Sequence, residues 1–319
     1  MKRYIPISFV RQKAKLLGFD DCGAAKVEPC DVLPLKEWLS EGLNADMDYM
    51  SKYIDKRENI TSLFQNAETV FSFLISYNQV TQTSSYPFRI ASYALGEDYH
   101  KVLKAKLFRL LELIREQYPD FEARVFVDTA PVLEKQWAVR AGLGWIGKNS
   151  TLVSKRFGSK VFLAEVVSNY VSDYSLQESD HCGNCKRCVA SCPNGAITNH
   201  RTIDCNKCIS YQTIENKNDI PSHIKLNGWI YGCEECIDAC IWNIKAPQCR
   251  NKEFETSEPM AQLIENISSD SLNKAHFNKA RKHSAIERIR FDKFLSNIDR
   301  AKCDKDWQLC RFIEVQIAK

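Results

Sequence analysis

Four cysteines fall within eleven residues, Cys182-x-x-Cys185-x-x-Cys188-x-x-x-Cys192, and proline follows at 193. This is the bacterial ferredoxin run: three thiolates wrap one [4Fe–4S] cube and the fourth reaches across to a second. Structural zinc sites use paired Cys-x-x-Cys units set well apart, a different pattern. A second cube needs a partner motif, and Cys233-x-x-Cys236-x-x-x-Cys240 has the spacing of the second, third and fourth ligands. The first ligand would fall at 230, which is Ile, while Cys205-x-x-Cys208 lies between the two motifs. Crossed-over ligation then predicts two sets. One is Cys182, Cys185, Cys188 and Cys240; the other is Cys192, Cys233 and Cys236 with either Cys205 or Cys208. Spacing alone does not choose between those last two.

Ten of the fourteen cysteines lie between positions 182 and 249, whereas a disulfide scaffold would be small, secreted and more evenly bridged. Cys22, Cys30, Cys249, Cys303 and Cys310 read as buried or incidental thiols. With 319 residues, 44% hydrophobic and 26% charged, the chain has ordinary globular composition and length for about two domains. Its apolar stretches fall well short of the roughly 20 residues of a membrane span. The opening Met-Lys-Arg-Tyr-Ile-Pro runs into an amphipathic segment without a signal core, so a cytoplasmic location is expected. Net charge is only +4, but residues 274–302 hold nine Lys/Arg against three Asp/Glu, a basic segment suited to phosphates.

Before the cysteines, the pattern predicts a helix over 8–19 with Phe9, Val10, Leu16 and Leu17 apolar, and a strand over 69–77. A helix over 97–117, a strand over 124–127, a helical stretch to about 140 and a strand over 161–168 follow. Strands alternating with helices make an α/β layer domain over 1–175. Residues 176–250 then form a ferredoxin-like module and 251–319 a helical, basic tail. Asp128 closes a strand, where α/β proteins place ligand-facing groups. The glycine-rich stretch 141–150 offers close backbone approach, with Lys148 and Asn149 as polar contacts.

Three further stretches join the cysteine motifs in one order. They are Ala91-Ser-Tyr-Ala-Leu-Gly-Glu-Asp-Tyr-His100, Val127-Asp-Thr-Ala-Pro-Val-Leu-Glu134 with Arg140-Ala-Gly-Leu-Gly-Trp-Ile-Gly-Lys-Asn149, and Cys208-Ile-Ser-Tyr-Gln-Thr-Ile-Glu215. With Tyr231-Gly-Cys-Glu-Glu-Cys-Ile-Asp-Ala-Cys-Ile-Trp-Asn243, they make residues 1–245 resemble the epoxyqueuosine reductase family. The resemblance implies a cobalamin-binding α/β domain like that of reductive dehalogenases, followed by a two-cluster ferredoxin module. It implies reduction of epoxyqueuosine to queuosine at the anticodon wobble position of tRNA, the last step in making that nucleoside. Gln212 and Ile241 depart from the family's apolar residue and proline, and no helical-repeat domain follows.

By the same resemblance Asp128 is the proton donor, and Cys208 rather than Cys205 is the cluster ligand. Arg57, Tyr93, Asp128, Leu152, Ser210, Gly232 and Cys233 line the cobalamin, and Lys148, Asn149 and Arg156 meet tRNA. Asp98-Tyr99-His100 begins like a cobalt-ligating Asp-x-His-x-x-Gly, but Leu103 holds the glycine position. A base-off corrinoid with no histidine ligand is therefore expected, and the six histidines read as surface or core residues. The expected partners are tRNA and a low-potential donor such as flavodoxin or ferredoxin, with the enzyme a monomer. The competing readings are a ferredoxin-type electron carrier and a cobalamin-dependent reductase of another substrate. A carboxyl acting as proton donor works best if burial raises its pKa, and this is the expectation for Asp128.

Overall fold

The computed structural model describes residues 3–79, 88–198 and 201–304. Eight strands are named in chain order: β1 (Asp21–Lys26), β2 (Thr69–Ser76), β3 (Arg89–Ile90), β4 (Ala123–Phe126), β5 (Trp145–Ile146), β6 (Leu152–Val153), β7 (Val161–Ser168) and β8 (Trp229–Tyr231). All eight positions of β2 are buried, so neither of its faces meets water and it must be central. It pairs with β1 and β7, and β7 pairs with β4, all antiparallel, giving the order β1-β2-β7-β4.

Alternation then sorts the side chains of β2 to two covers. Phe71, Phe73 and Ile75 join one core with Val10 and Ala14 of the Ile7–Leu16 helix and Leu103 and Leu107 of the Tyr99–Arg115 helix. Val70 and Leu74 face the other way, into a core with Trp137 and Ala138 of the Glu134–Arg140 helix. Leu103, Leu107, Leu110, Leu111 and Ile114 are all buried in the long helix, which gives it the apolar stripe read from its periodicity. Truncating a residue such as Leu107 to Ala would cost about 2–5 kcal/mol. The helix starts because Asp98 caps it, accepting the His100 backbone N–H at 3.1 Å. Leu16, expected on the inner face of the first helix, is 73% exposed.

Beyond the sheet, β5 and β6 form a short hairpin, and β3 pairs in parallel with β8. The β3–β8 pairing brings Ile90, Ala91 and Ala94 into one core with Ile209, Trp229, Ile230 and Tyr231. Met260, Leu263, Phe277, Phe294 and Ile298 of the C-terminal helices fill the same core. Residues 258–301 thus form one wall of a core that they share with residues 90–95 and 209–231. The physical reason is that the cysteine loops have little apolar surface, so the strand and helix beside them bury theirs against the C-terminal helices. Several basic residues of that wall serve the fold. Arg288 forks onto Glu215 at 3.0 and 3.1 Å, and Arg300 donates to the carbonyls of Ser222 and Ile224 at 2.9 and 2.6 Å. Cys303 is exposed, and Cys310 lies outside the described residues. Among the described residues no helix is long and apolar enough to cross a membrane.

Candidate active site and cysteine region

Asp128 stands just past the end of β4 in the left-handed region, at φ 55°, an uncommon conformation for a residue with a side chain. Three groups hold it. The Tyr99 hydroxyl donates to Oδ2 at 2.8 Å, His100 Nε2 lies 3.0 Å from the same oxygen, and the Asp128 backbone N–H donates to Glu134 Oε1. On its other side His100 Nδ1 is 2.7 Å from Asp98 Oδ1, the same side chain that caps the helix. One aspartate thus fixes both the helix start and the imidazole that its first turn presents. The Asp128 side chain is 57% exposed, so the carboxylate faces an open recess while its loop is pinned.

The electrostatics run against a carboxyl raised by burial. The His100 hydrogen bond, opposed by desolvation and helped by Tyr99, holds the Asp128 carboxyl below the usual range. Burial alone would lower the His100 pKa, but the hydrogen bonds to Asp128 and Asp98 outweigh it and raise the value to about 9. At neutral pH the proton of this pair resides on His100, and Asp128 is ionised. His100, read from sequence as an ordinary histidine, belongs to the site. The signal that could have found it is the Asp-x-His spacing at a helix start.

Beneath the loop lies a second pair. Glu165, central in β7 and fully buried, faces Glu134, and neither Glu165 oxygen has a donor among the described residues. Burial first, then the Asp128 charge, raises Glu134 to about 7; burial and the Glu134 charge push Glu165 well upward. Two buried carboxyls that face each other, one of them without any donor among the described residues, are best accommodated with a proton between them.

The cysteines expected as cluster ligands lie near enough to influence one another's ionisation. The charge of Cys188 is felt from Cys240, Cys182 and Cys185; that of Cys236 is felt from Cys208, Cys192 and, further down, Cys188. Cys233 senses Cys208 and Cys236, and Cys208 senses Cys192. Cys205 neighbours Cys208 but no other member, and its thiol is buried and pushed up to about 12 by desolvation. Among the described residues no three such side chains meet closely enough to hold a single metal ion. A cube, with an iron at each of four corners, takes its thiolates from further apart. Two N–H groups already point at sulfur: Trp145 Nε1 at 3.4 Å from Cys182 Sγ and the Ala196 amide at 3.2 Å from Cys192 Sγ. Such donors stabilise thiolate charge around a cluster. The donor set fits two cubes.

The remaining predicted positions divide. Tyr93 packs between Tyr99 and Tyr231, with ring centroids 6.5 and 6.1 Å away, on the Asp128 side of the β3–β8 pair. Gly232 adjoins it at φ 67°, and an added Cβ would sit 2.6 Å from Ala91 Cβ, so only glycine fits. Its N–H donates to Thr213 Oγ1, which ties it to the helix bearing Ser210. Arg57 is half-buried and Cys233 partly so. Leu152, expected beside the cobalamin, has its side chain 3% exposed in the core with Trp137, which leaves its backbone for a ligand. Of the three residues expected to meet tRNA, Lys148 and Asn149 are engaged within the protein. Lys148 Nζ donates to the Gly183 and Cys185 carbonyls at 2.6 and 2.7 Å, clamping the first cysteine loop. Asn149 is 4% exposed, with its amide on the Cys236 carbonyl. The glycine-rich stretch is equally structural, since a Cβ on Gly144 would lie 2.1 Å from the Val153 oxygen. Arg156 alone of the three is exposed, over the Phe157 ring.

An acid held at a strand end and a cysteine-rich segment on one mixed α/β core are the parts of an iron–sulfur oxidoreductase. The comparisons name the kind. A family model described as epoxyqueuosine reductase QueG, DUF1730, matches residues 57–129, and one described as a 4Fe-4S double cluster binding domain matches 181–243. The epoxyqueuosine reductase of Cyclobacterium marinum is 40% identical over 91% of this chain and 94% of its own length. That of a Synechocystis species is 40% identical over 80% of this chain and 90% of its own. The chain belongs to the epoxyqueuosine reductase family. Among solved structures, the Streptococcus thermophilus epoxyqueuosine reductase superposes with TM-score 0.78 at 26% identity, covering 92% of this chain and 80% of that one. An epoxyqueuosine reductase solved with an epoxyqueuosine-modified tRNA-Tyr stem loop shares the fold, with TM-score 0.80 at 24% identity over 93% of this chain and 81% of its own.

Proposed function

We propose that this chain reduces the epoxide of epoxyqueuosine at the tRNA wobble position to the alkene of queuosine, with two [4Fe–4S] clusters and a base-off cobalamin. The observation that carries the reading is the pinned, solvent-facing Asp128, joined to His100 in a chain that also holds the 181–243 double-cluster segment. Loss of the epoxide oxygen takes two electrons and two protons and releases water. Cys182, Cys185, Cys188 and Cys240 would hold one cluster and Cys192, Cys208, Cys233 and Cys236 the other; bound there, they would supply single-electron transfer from a carrier such as flavodoxin or ferredoxin. Cobalamin, lined by Tyr93, Gly232, Ser210, Arg57 and Cys233, supplies the strong reductant that side chains lack.

The polypeptide's own part is the proton. Asp128 Oδ2 receives it from His100 Nε2 and delivers it to the departing oxygen, while Asp98 keeps the imidazole oriented and Tyr99 keeps the carboxylate aimed. The second proton comes from water reaching the recess. A histidine shared by two carboxylates and protonated at neutral pH has no lone pair for cobalt, which supports the absence of a histidine ligand. Arg156 and the outer cations of the C-terminal wall are the phosphate contacts, and the enzyme works as a cytoplasmic monomer.

The test is anaerobic reconstitution with iron, sulfide and cobalamin, followed by turnover of epoxyqueuosine-tRNA. About eight irons, a base-off Co(II) EPR signal without nitrogen splitting, and product are expected. Asp128→Ala should keep clusters and corrinoid yet lose about 10²–10⁴ in kcat. Iron without bound corrinoid would leave an electron carrier instead, and full activity of Asp128→Ala would remove that residue from the chemistry.

A further inference from the structure

We propose that Glu134 is a positioning residue, a latch that holds the Asp128 loop in its working conformation by accepting the Asp128 backbone N–H, with Glu165 supporting it through a shared proton. The inference rests on the reading of Asp128 as proton donor and adds a residue that touches neither substrate nor cofactor. Three observations carry it. Asp128 sits at φ 55°, a conformation that persists in a non-glycine residue only when its surroundings over-determine it. The loop after it turns tightly, with Thr129 N–H on the Val127 carbonyl at 2.6 Å and Val132 N–H on that of Ala130 at 2.8 Å. Glu134 is the first residue of its helix, yet its carboxylate turns back to Asp128, its one hydrogen-bonded backbone donor.

The position of Glu165 explains why this arm does not wander. From the middle of β7 it faces Glu134 with both oxygens buried and no donor among the described residues, so Glu134 is the group left to share a proton with it. The groups around the pair are Asp128, His100 and Tyr99 on the loop and long-helix side, and Lys135, whose Nζ is committed to the Ser150 carbonyl at 2.7 Å. Among the described residues no cation is ion-paired with either glutamate. The arrangement is a poor way to stabilise a fold and a rigid way to place one acceptor oxygen.

Holoenzyme carrying Glu134→Ala, Glu134→Gln, Glu165→Gln or Asp128→Ala separates the possibilities. Glu134→Ala removes the acceptor; kcat should fall about 10–100-fold with the tRNA KM unchanged, the scale of an ångström's misplacement. Exchange of the 128–132 backbone amides should accelerate in the same variant. Glu134→Gln keeps an acceptor oxygen and Glu165→Gln supplies a permanent donor, so both should stay within about threefold of wild type with exchange still slow. Wild-type kcat in Glu134→Ala, with Asp128→Ala inactive, overturns the latch and leaves the Asp128 reading standing. Equal loss in Glu134→Gln and Glu134→Ala overturns it as well. Should Glu134→Ala fail to fold, Glu134→Gln decides: lost turnover or lost amide protection there is fatal. Full activity of Asp128→Ala would sink the Asp128 reading itself.

Discussion

Two regions of this molecule crowd groups of one kind, and they are neutralised differently. At the end of the sheet, four carboxyls gather: Asp98, Asp128, Glu134 and Glu165. The polypeptide answers each of them, with His100 between the aspartates, Tyr99 on Asp128, and a proton between the glutamates. In the cysteine region, burial raises Cys208, Cys233 and Cys236, and each thiolate charge raises its neighbours further. No lysine or arginine among the described residues is paired with these sulfurs, and only amide and indole N–H groups approach them. Thiols that must ionise to work, in surroundings that discourage it, need a cation from outside the chain. The acid end is complete as folded; the thiol end is complete only with iron.

The sharpest way to break that contrast is at Cys208 and Cys205, three residues apart. Cys208→Ala should cost about half of the roughly eight irons and all measurable turnover, because Cys192, Cys233 and Cys236 lose their fourth partner. Cys205→Ala should keep both iron and turnover. Iron analysis with EPR of the reduced protein reads the result, and the reverse pattern would move the ligand to Cys205.

The acid end makes a smaller prediction, in pH. The His100 pKa rises on folding from about 6.5 to about 9, so its stabilising contribution is full below pH 6.5 and is lost as pH climbs through 9. With the ring a quarter exposed, the discounted size is on the order of 2 kcal/mol. Thermal unfolding followed from pH 6 to 10 should show wild type losing that stability and His100→Gln losing none of it. Parallel curves for the two proteins would mean that the imidazole is not held by Asp98 and Asp128 in solution.

What could be read from sequence follows how demanding each constraint is. A cube fixes four thiolates at set spacings, so the cysteine positions themselves propose two groups, apart from the choice between Cys205 and Cys208 that spacing leaves open. A strand buried on both faces needs a continuous apolar run, so β2 and β7 were found at or within a residue of their observed ends. The acid end was harder. Asp128 sits in a motif, but its ionisation depends on His100, whose role appears only when the start of the long helix is laid against the end of β4. Glu165 reads as an interruption in an apolar strand until Glu134, thirty-one residues earlier, is folded over it. The C-terminal wall was hidden for a related reason. Its charge density suggests a solvated face, while the apolar residues it buries, Phe277, Phe294 and Ile298, are spaced thinly among the cations.

That wall carries the smallest expected effect and bears on which cations reach outward. Arg288 and Arg300 are bound to the protein itself, whereas Lys274, Lys282 and Arg290 are exposed and have no hydrogen-bond or ion-pair partner among the described residues. Exposed cations add to nucleic-acid affinity mainly by releasing counterions, so their signature is the salt dependence of binding. Replacing those three with Ala should flatten the slope of log K against log salt by up to about 2, at roughly 0.7–0.9 for each phosphate no longer neutralised, with kcat at saturating tRNA unchanged. Lys148→Ala should do the opposite. Its ammonium clamps the carbonyls of Gly183 and Cys185, so the variant should release iron faster from the first group and keep the wild-type slope. A slope that responds to Lys148 and ignores the three outer cations would place the tRNA backbone over the cysteine loop rather than on the C-terminal helices.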